Sequence, residues 1–326
     1  MIIVRSPLRV TLGGGGTDLP SYYEENDGSL IYASINKYVY TSLNIPFEKK
    51  IFLKYSNFET VNNSKEIKKK ILNSVLNIYD YKFKSLEISS FSDLPSGTGL
   101  GSSGSFISAL IHALNIQKNI KMTKHQLAEL CCDIEINRLK EPVGKQDQYA
   151  SVFGGINQLI FKKNTAVKVK KININNKTIN LLEKKLVLYF TGFTRSASKV
   201  LNDQKVRSIK KEDEIINNLN KIKEIGLLSK KALENEDLNE FARLLNLQWE
   251  LKQKRSQDMT NNKINSIYNF ALKNGAEGGK LVGAGGGGFL LFYSNNKIKL
   301  INSLKKFNLE KIDFKFDFKG TSCLVK

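Results

Sequence analysis

Pro95-Ser-Gly-Thr-Gly-Leu-Gly-Ser-Ser-Gly-Ser105 is the stretch on which the reading of this chain turns. Before it, Leu86 to Phe91 reads as a strand. After it, Phe106, Ala109, Leu110, Ala113 and Leu114 recur at helical spacing, so one face of a helix is buried behind the loop. Glycines let a backbone turn its N–H groups inward without Cβ clashes, and the following helix N-terminus adds positive potential. Phosphate is the natural guest of such a loop, with Ser102 and Ser103 able to donate to it or to ligate Mg²⁺. Gly99-x-Gly101-x-x-Gly104 also fits a dinucleotide fingerprint. That reading wants the first strand-to-helix turn of the chain and an acidic strand end about twenty residues on, and neither is present. No Lys follows the glycines, so the loop is not a Walker A loop.

Working outward, Ile3, Arg5, Leu8, Val10 and Leu12 read as a strand broken by Pro7 and ending at four glycines, Gly13 to Gly16. Ser29 to Ser42 and Ile51 to Tyr55 read as further strands, and Ser64 to Ile78 as an amphipathic helix. Beyond the loop, Thr123 with Gln126 three residues on predicts a capped helix running to about Asn137. Lys162 to Lys185 is Lys- and Asn-rich and suits a hairpin or a connection between lobes. Leu186 to Phe190 reads as a buried strand, and two or three helices are expected between Leu201 and Asn274, with Phe241, Leu244, Leu245 and Trp249 on one packed face. Lys280 to Val282, a glycine run and Phe289 to Tyr293 read as strand, turn, strand. The order is mixed α+β. At 326 residues the chain exceeds what one hydrophobic core fills, so two lobes with a cleft between them are expected, at residues 1–180 and 181–326.

Composition narrows the function. The net charge of +20 favours anionic partners, whether nucleic acid, membrane surface or phosphorylated metabolites. Only seven of the 51 basic residues are Arg, which argues against groove or base recognition. No nucleic-acid partner is expected. No run of 18 apolar residues occurs, and Met1 to Val4 opens onto Arg5, Ser6 and Pro7 rather than an apolar leader, so a cytoplasmic protein with no membrane partner is expected. Three cysteines, two of them adjacent (Cys131 and Cys132), match neither a redox pair nor a zinc spacing. Two histidines, His112 and His125, are too few for a His-based zinc site or a Ser-His-Asp triad.

The serine-rich loop resembles the ATP loop of the GHMP kinases, the family named for galactokinase, homoserine, mevalonate and phosphomevalonate kinases. Ser6-Pro-Leu-Arg-Val-Thr-Leu-Gly-Gly-Gly-Gly-Thr-Asp18 is similar to the substrate motif of its sugar kinases, and Lys280-Leu-Val-Gly-Ala-Gly-Gly-Gly-Gly-Phe289 to its C-terminal glycine motif. Three motifs in order span nearly the whole chain. The resemblance implies a two-lobed GHMP kinase fold, with an N-terminal lobe like ribosomal protein S5 domain 2 built on a left-handed βαβ unit, and a ferredoxin-like C-terminal lobe. It also implies ATP and Mg²⁺ as cofactors. Pro95, Gly97, Gly99, Leu100, Gly101, Ser102, Ser103, Gly104 and Ser105 would then bind nucleotide.

Phosphoryl transfer needs charge neutralised on the moving phosphoryl group and a hydroxyl held in line with it. Glu141-Pro-Val-Gly-Lys-Gln-Asp-Gln148 resembles the family's Gly-x-x-Asp-Gln loop and makes Asp147 the catalytic base or acceptor-orienting residue. The resemblance places Glu135, with Asp133 as a competitor, as an Mg²⁺ ligand alongside Ser103. Arg9 stands where the family has Lys or Arg, and is expected to neutralise transition-state charge.

Asp18 resembles the sugar-kinase carboxylate that accepts hydroxyl hydrogen bonds, with Gly15, Gly16, Thr17, Gly285 and Gly286 as further substrate residues. Leu-Gly-Gly-Gly-Gly-Thr-Asp departs from galactokinase and resembles the D-glycero-D-manno-heptose 7-phosphate kinases and the related fucokinase group. That implies phosphorylation of O1 of heptose 7-phosphate to the 1,7-bisphosphate, for nucleotide-activated heptose and surface polysaccharide. Such an acceptor needs an anion site, for which Thr191-Gly-Phe-Thr-Arg-Ser-Ala-Ser-Lys199 offers Arg195 and Lys199. Another sugar kinase, such as one for L-fucose, and a non-catalytic kinase-like sugar sensor remain as alternatives. Self-association into a homodimer also stays open.

Overall fold

The computed structural model describes residues 1–79, 85–193, 197–210 and 212–326, the side chains of residues 197–200 and 257 excepted. Its first sheet is organised on two long antiparallel strands, Ile2–Gly13 and Gly28–Asn44. The second of these is shared: its early residues pair with Ile156–Phe161 and its late ones with Leu86–Ser92. Leu86–Ser92 in turn runs parallel to Ile51–Lys54, with helix Lys70–Ile78 in the crossover between them. The end of the chain returns to this sheet, where Ser322–Val325 pairs antiparallel with the first strand. The last residues therefore pack with the first, although they follow the second sheet in sequence.

Helices Ser102–Gln117, Lys124–Cys132 and Gln146–Phe153 cover one face of the first sheet. Ile107, Leu110, Ile111 and Leu114 are fully buried there with Leu53, Leu86 and Leu159. Thr123 closes a capping box with Gln126, and the helix it starts continues as a π-helical turn at Asp133–Arg138. That wider turn sends Asp133 outward to Arg138, at 2.7 Å, while Glu135 is buried at 2% exposure. Asp133 is thus removed from competition for the interior role.

The second sheet has the antiparallel order Lys311–Ile312, Leu186–Phe190, Phe289–Tyr293, Gly278–Leu281. In chain order that is 4-1-3-2, with helices after the first strand and Lys297–Leu304 after the third, which is the ferredoxin-like arrangement. Helices Asp213–Glu234 and Leu238–Gln253 pack on each other, and the first also lies on the long strands of the first sheet. At that crossing a Cβ on Gly226 would meet the backbone N of Gly14 at 2.8 Å, so the approach needs glycine.

Three local expectations change. The stretch 64–78 holds a single 3₁₀ turn, Ser64–Glu66, and then the helix proper. Residues 162–185 contain a hairpin strand, Val167–Lys171, and also a helix, Asn176–Lys185, whose N-cap Asn175 accepts from the Thr178 amide. Four helices, not two or three, lie between Ala197 and Lys273: Ala197–Ile209, Asp213–Glu234, Leu238–Gln253 and Asn262–Lys273. The break at Asn235 to Asp237 carries no Gly or Pro, and is made by Glu236 at φ 61° with Asp237 capping the next helix.

Candidate active site

One cavity of about 850 Å³ opens between the two sheets, lined by the serine-rich loop, the first glycine motif, the loop before Gln146 and the segment Lys280 to Ala284. Gly97, Gly99 and Gly101 all sit at positive φ, 75°, 81° and 82°, and Gly101 is the N-cap of helix Ser102–Gln117. The alternation of left-handed glycines is what turns the loop into a cradle at a helix N-terminus. Across the cleft Gly283 closes on it: a Cβ there would lie 2.4 Å from the Gly99 Cα. Two of the three glycine motifs thus meet backbone to backbone.

Beneath the loop, Arg9 donates from Nε and Nη2 to one oxygen of Asp147, Oδ1, at 2.8 and 2.5 Å, and from Nη1 to the Gly99 carbonyl at 2.5 Å. A Cβ on Gly101 would touch both Arg9 Cγ and Asp147 Cγ at 3.3 Å, so loop, arginine and carboxylate are packed as one unit. Asp147 lies in the first turn of helix Gln146–Phe153 and is 26% exposed, to the cavity it lines. Lys145 anchors the start of that helix by donating to Glu129, at 2.8 Å, and to the Thr165 carbonyl.

Asp18 is held at the same helix start. Its Oδ2 accepts from the Gln146 amide and its Oδ1 from the Gly16 amide, and Gly144 packs so tightly that a Cβ would clash with the carboxylate. Burial raises its pKa first, with the Asp147 charge adding to that, and Arg9 opposes both. Glu135 is likewise pushed up, to about 7, by burial; hydrogen bonds from Ser103 and Gln148 counter part of this. A buried carboxylate beside a loop serine is a hard oxygen set of the kind Mg²⁺ takes once phosphate oxygens join it. The donor chemistry fits that ion.

Not every expected residue lines the cavity. Pro95, Gly97, Gly99, Gly101, Ser102, Ser103, Gly15, Gly16, Asp18, Arg9 and Asp147 do. Thr17 does not: its buried hydroxyl donates to the Gly14 and Ser29 carbonyls and accepts from the Ser29 amide, which pins the motif to the next strand. Leu100 is core, Gly104 packs on the Asp147 backbone, and the Ser105 hydroxyl donates to the Pro7 and Gly101 carbonyls. Gly285 and Gly286 lean on Met259, so Gly283 and Ala284 form the wall in their place. Arg195 lies outside the described residues, as does the side chain of Lys199.

Among the lining residues that the sequence reading does not assign to the site are four polar ones of the C-terminal half, Gln248, Lys252, Arg255 and Lys280. Lys280 was the one with a visible signal, a lone Lys inside the apolar strand Gly278–Leu281.

A glycine cradle at a helix start, packed on an arginine-held carboxylate and facing a cleft, defines a small-molecule phosphotransferase. The chain belongs to the GHMP kinases. The N-terminal domain model of that family matches residues 66–155 and the C-terminal model residues 229–309. A D-glycero-alpha-D-manno-heptose 7-phosphate kinase of Campylobacter jejuni is 32% identical, over 98% of this chain and 97% of its own length. The crystal structure of a D-glycero-D-manno-heptose 1-phosphate kinase from Bacteroides thetaiotaomicron superposes with a TM-score of 0.83 at 26% identity, covering 100% of this chain and 99% of that one. That of a putative sugar kinase from Campylobacter jejuni gives 0.79 at 30%, covering 99% and 97%. Kinases of this family use ATP as phosphate donor, and the chain is an ATP-dependent kinase. Among the described residues no helix is long and apolar enough to cross a membrane.

Proposed function

We propose that the chain transfers the γ-phosphoryl group of ATP to a hydroxyl of a phosphorylated sugar, with O1 of D-glycero-α-D-manno-heptose 7-phosphate as the acceptor and the 1,7-bisphosphate as product. The observation that carries this reading is the Arg9–Asp147 pair packed under the glycine loop, with Asp18 on the same helix start. Two of the relatives above are named as kinases of heptose phosphates, although the names differ on which phosphate the acceptor carries.

Each residue then has a task. The loop amides from Gly97 to Ser103 receive the nucleotide phosphates, and Tyr55, Ile71 and Phe91 supply an apolar wall for the base. Arg9 occupies Oδ1 of Asp147 twice, which leaves Oδ2 to accept the proton of the attacking hydroxyl. The same guanidinium stands to share negative charge on the phosphoryl group in flight. Asp18 accepts from a neighbouring sugar hydroxyl and so fixes which one reaches Asp147. Ser103 and Glu135 would hold Mg²⁺, which when bound neutralises phosphate charge. Arg195 and Lys199 precede Leu201 and Gln204, which line the cavity, and are assigned to the acceptor's own phosphate. Residues 1–180, with the returning strand, form the nucleotide lobe, and the rest of residues 181–326 closes over the acceptor. Cytoplasmic sugar phosphates would be the chain's substrates.

A coupled assay of ADP release over free and phosphorylated heptoses and hexoses tests the reading. Heptose 7-phosphate should be turned over far faster than L-fucose or free heptose. Equal turnover of an unphosphorylated sugar would overturn it.

A further inference from the structure

Three cations of the C-terminal half line the cavity: Arg255 and Lys280, which are buried, and Lys252, which is half-buried. Buried cations are normally matched by carboxylates, because an uncompensated charge loses its hydration and regains nothing. Here the match is thin: the Asp18 charge favours the protonated form of Arg255, but no ion pair joins the two among the described residues. Among the described residues no salt bridge reaches any of the three. The segment Thr194 to Val200 also contains no acidic residue. Burial, with repulsion from Arg255 and Arg9 adding to it, lowers the pKa of Lys280 to about 7. The two carboxylates nearby are already engaged, Asp147 by Arg9 and Asp18 by backbone amides.

The neighbours of each cation divide them between the two ends of the cavity. Lys252 donates to the carbonyls of Leu281 and Gly283, and Gly283 abuts the loop glycine Gly99. That places it on the nucleotide side. Arg255 donates to the Gly15 carbonyl at 2.8 Å and packs on Gly16, whose amide holds Asp18. Lys280 donates at 3.1 Å to Gln248, which itself donates to the Leu12 carbonyl at the root of the same motif. These two are on the acceptor side. Arg255 spends three of its five N–H bonds on Gly15, Gln204 and Asn218, and Lys280 one of three on Gln248, among the described residues. Donors remain for a ligand.

We propose that Lys280 and Arg255 form a fixed site for the phosphoryl group that the acceptor already carries, so that they select phosphorylated over free sugars. The proposal rests on the reading of the acceptor as a sugar phosphate. It assigns recognition to the strand Gly278–Leu281 and the turn that follows helix Leu238–Gln253. A dianion seated there would balance the charge that, among the described residues, no ion pair offsets. A planar guanidinium beside an ammonium offers it the geometry of a bidentate grip plus a point charge.

The test compares kcat/KM for D-glycero-D-manno-heptose 7-phosphate and for the free heptose in the wild type, Lys280→Met and Arg255→Gln. Each substitution should reduce the preference for the phosphorylated sugar roughly ten- to a hundredfold, the loss of one or two charge-assisted hydrogen bonds, while KM for ATP stays within about threefold. Inorganic phosphate should compete with the phosphorylated acceptor, and should lose potency in both variants. Lys280→Met removes a buried charge and keeps the stem, so it should fold at least as well as the wild type; Arg255→Gln carries the test if it does not. An unchanged preference in folded variants overturns the proposal, and so does an equal loss for both acceptors or a rise confined to KM for ATP. A wild type that already turns over both acceptors equally overturns the phosphosugar reading and this proposal together. That outcome is told apart because it appears before any substitution is made.

Discussion

Arg9 and Asp147, 138 residues apart in sequence, are joined by two hydrogen bonds that converge on a single carboxylate oxygen, at 2.8 and 2.5 Å. The other oxygen takes neither of these bonds, and Asp147 lines the cavity. If that oxygen takes the proton of the acceptor, Asp147→Asn should lower kcat by about 10²- to 10⁴-fold while KM for ATP changes little. Steady-state kinetics with a thermal unfolding control checks this. Retained kcat would remove Asp147 from the chemistry.

Arg9 serves both the carboxylate and the phosphoryl group, so Arg9→Met should cost about 10²- to 10³-fold in kcat. Combined with Asp147→Asn, the loss should be much smaller than the product of the two single losses, because the residues act as a unit. A double-mutant cycle on kcat measures the coupling. Multiplicative losses would show the pair to be independent.

Glu135 sets a pH dependence with a definite sign. Its carboxyl, ordinarily at 4.5, is raised by burial to about 7, so in the metal-free protein the folded state keeps a proton that the unfolded state has lost. Stability should therefore fall as pH rises from about 4.5 to about 7 and stay level above, the loss amounting to about 3 kcal/mol. Glu135→Gln should flatten this window, making the metal-free variant more stable than the wild type above pH 7, and should also weaken Mg²⁺-dependent nucleotide binding. Chemical denaturation in EDTA at several pH values, with nucleotide titrations alongside, reads both effects.

Gly97 and Gly283 separate backbone strain from crowding. Both have positive φ, but a Cβ on Gly97 meets nothing within 4 Å, whereas one on Gly283 would collide with the Gly99 backbone. Gly97→Ala should cost about 1 kcal/mol, the left-handed penalty alone. Gly283→Ala should cost about 2 kcal/mol or more and reduce kcat as well, since the two glycine motifs are pushed apart. Denaturation midpoints and kcat for both variants check the contrast.

What could be read from the sequence follows the range of the physics. The loop at Pro95, the capping box at Thr123 and Gln126, and the strand pair around Gly283 to Gly288 are set by residues a few positions apart, and each stands where expected. The strand Ser322–Val325 depends on pairing with Ile3 to Arg5 at the other end of the chain, and nothing local marks it. Gln248 and Lys252 show the same limit. They share a helix with Phe241, Leu244, Leu245 and Trp249, whose apolar spacing gives the buried face. Only the meeting of that helix with the first glycine motif turns two polar neighbours into cavity wall. Thr17 was the opposite case, where the motif drew attention to a hydroxyl that the fold spends on its own backbone.

The most direct test of the account is the product itself. With ATP, Mg²⁺ and D-glycero-D-manno-heptose 7-phosphate, ³¹P NMR should show a second sugar phosphate resonance coupled to the anomeric proton, growing in step with ADP and absent with Asp147→Asn. ADP formed without that resonance, or an equal yield of 1-phosphate from L-fucose, would contradict it.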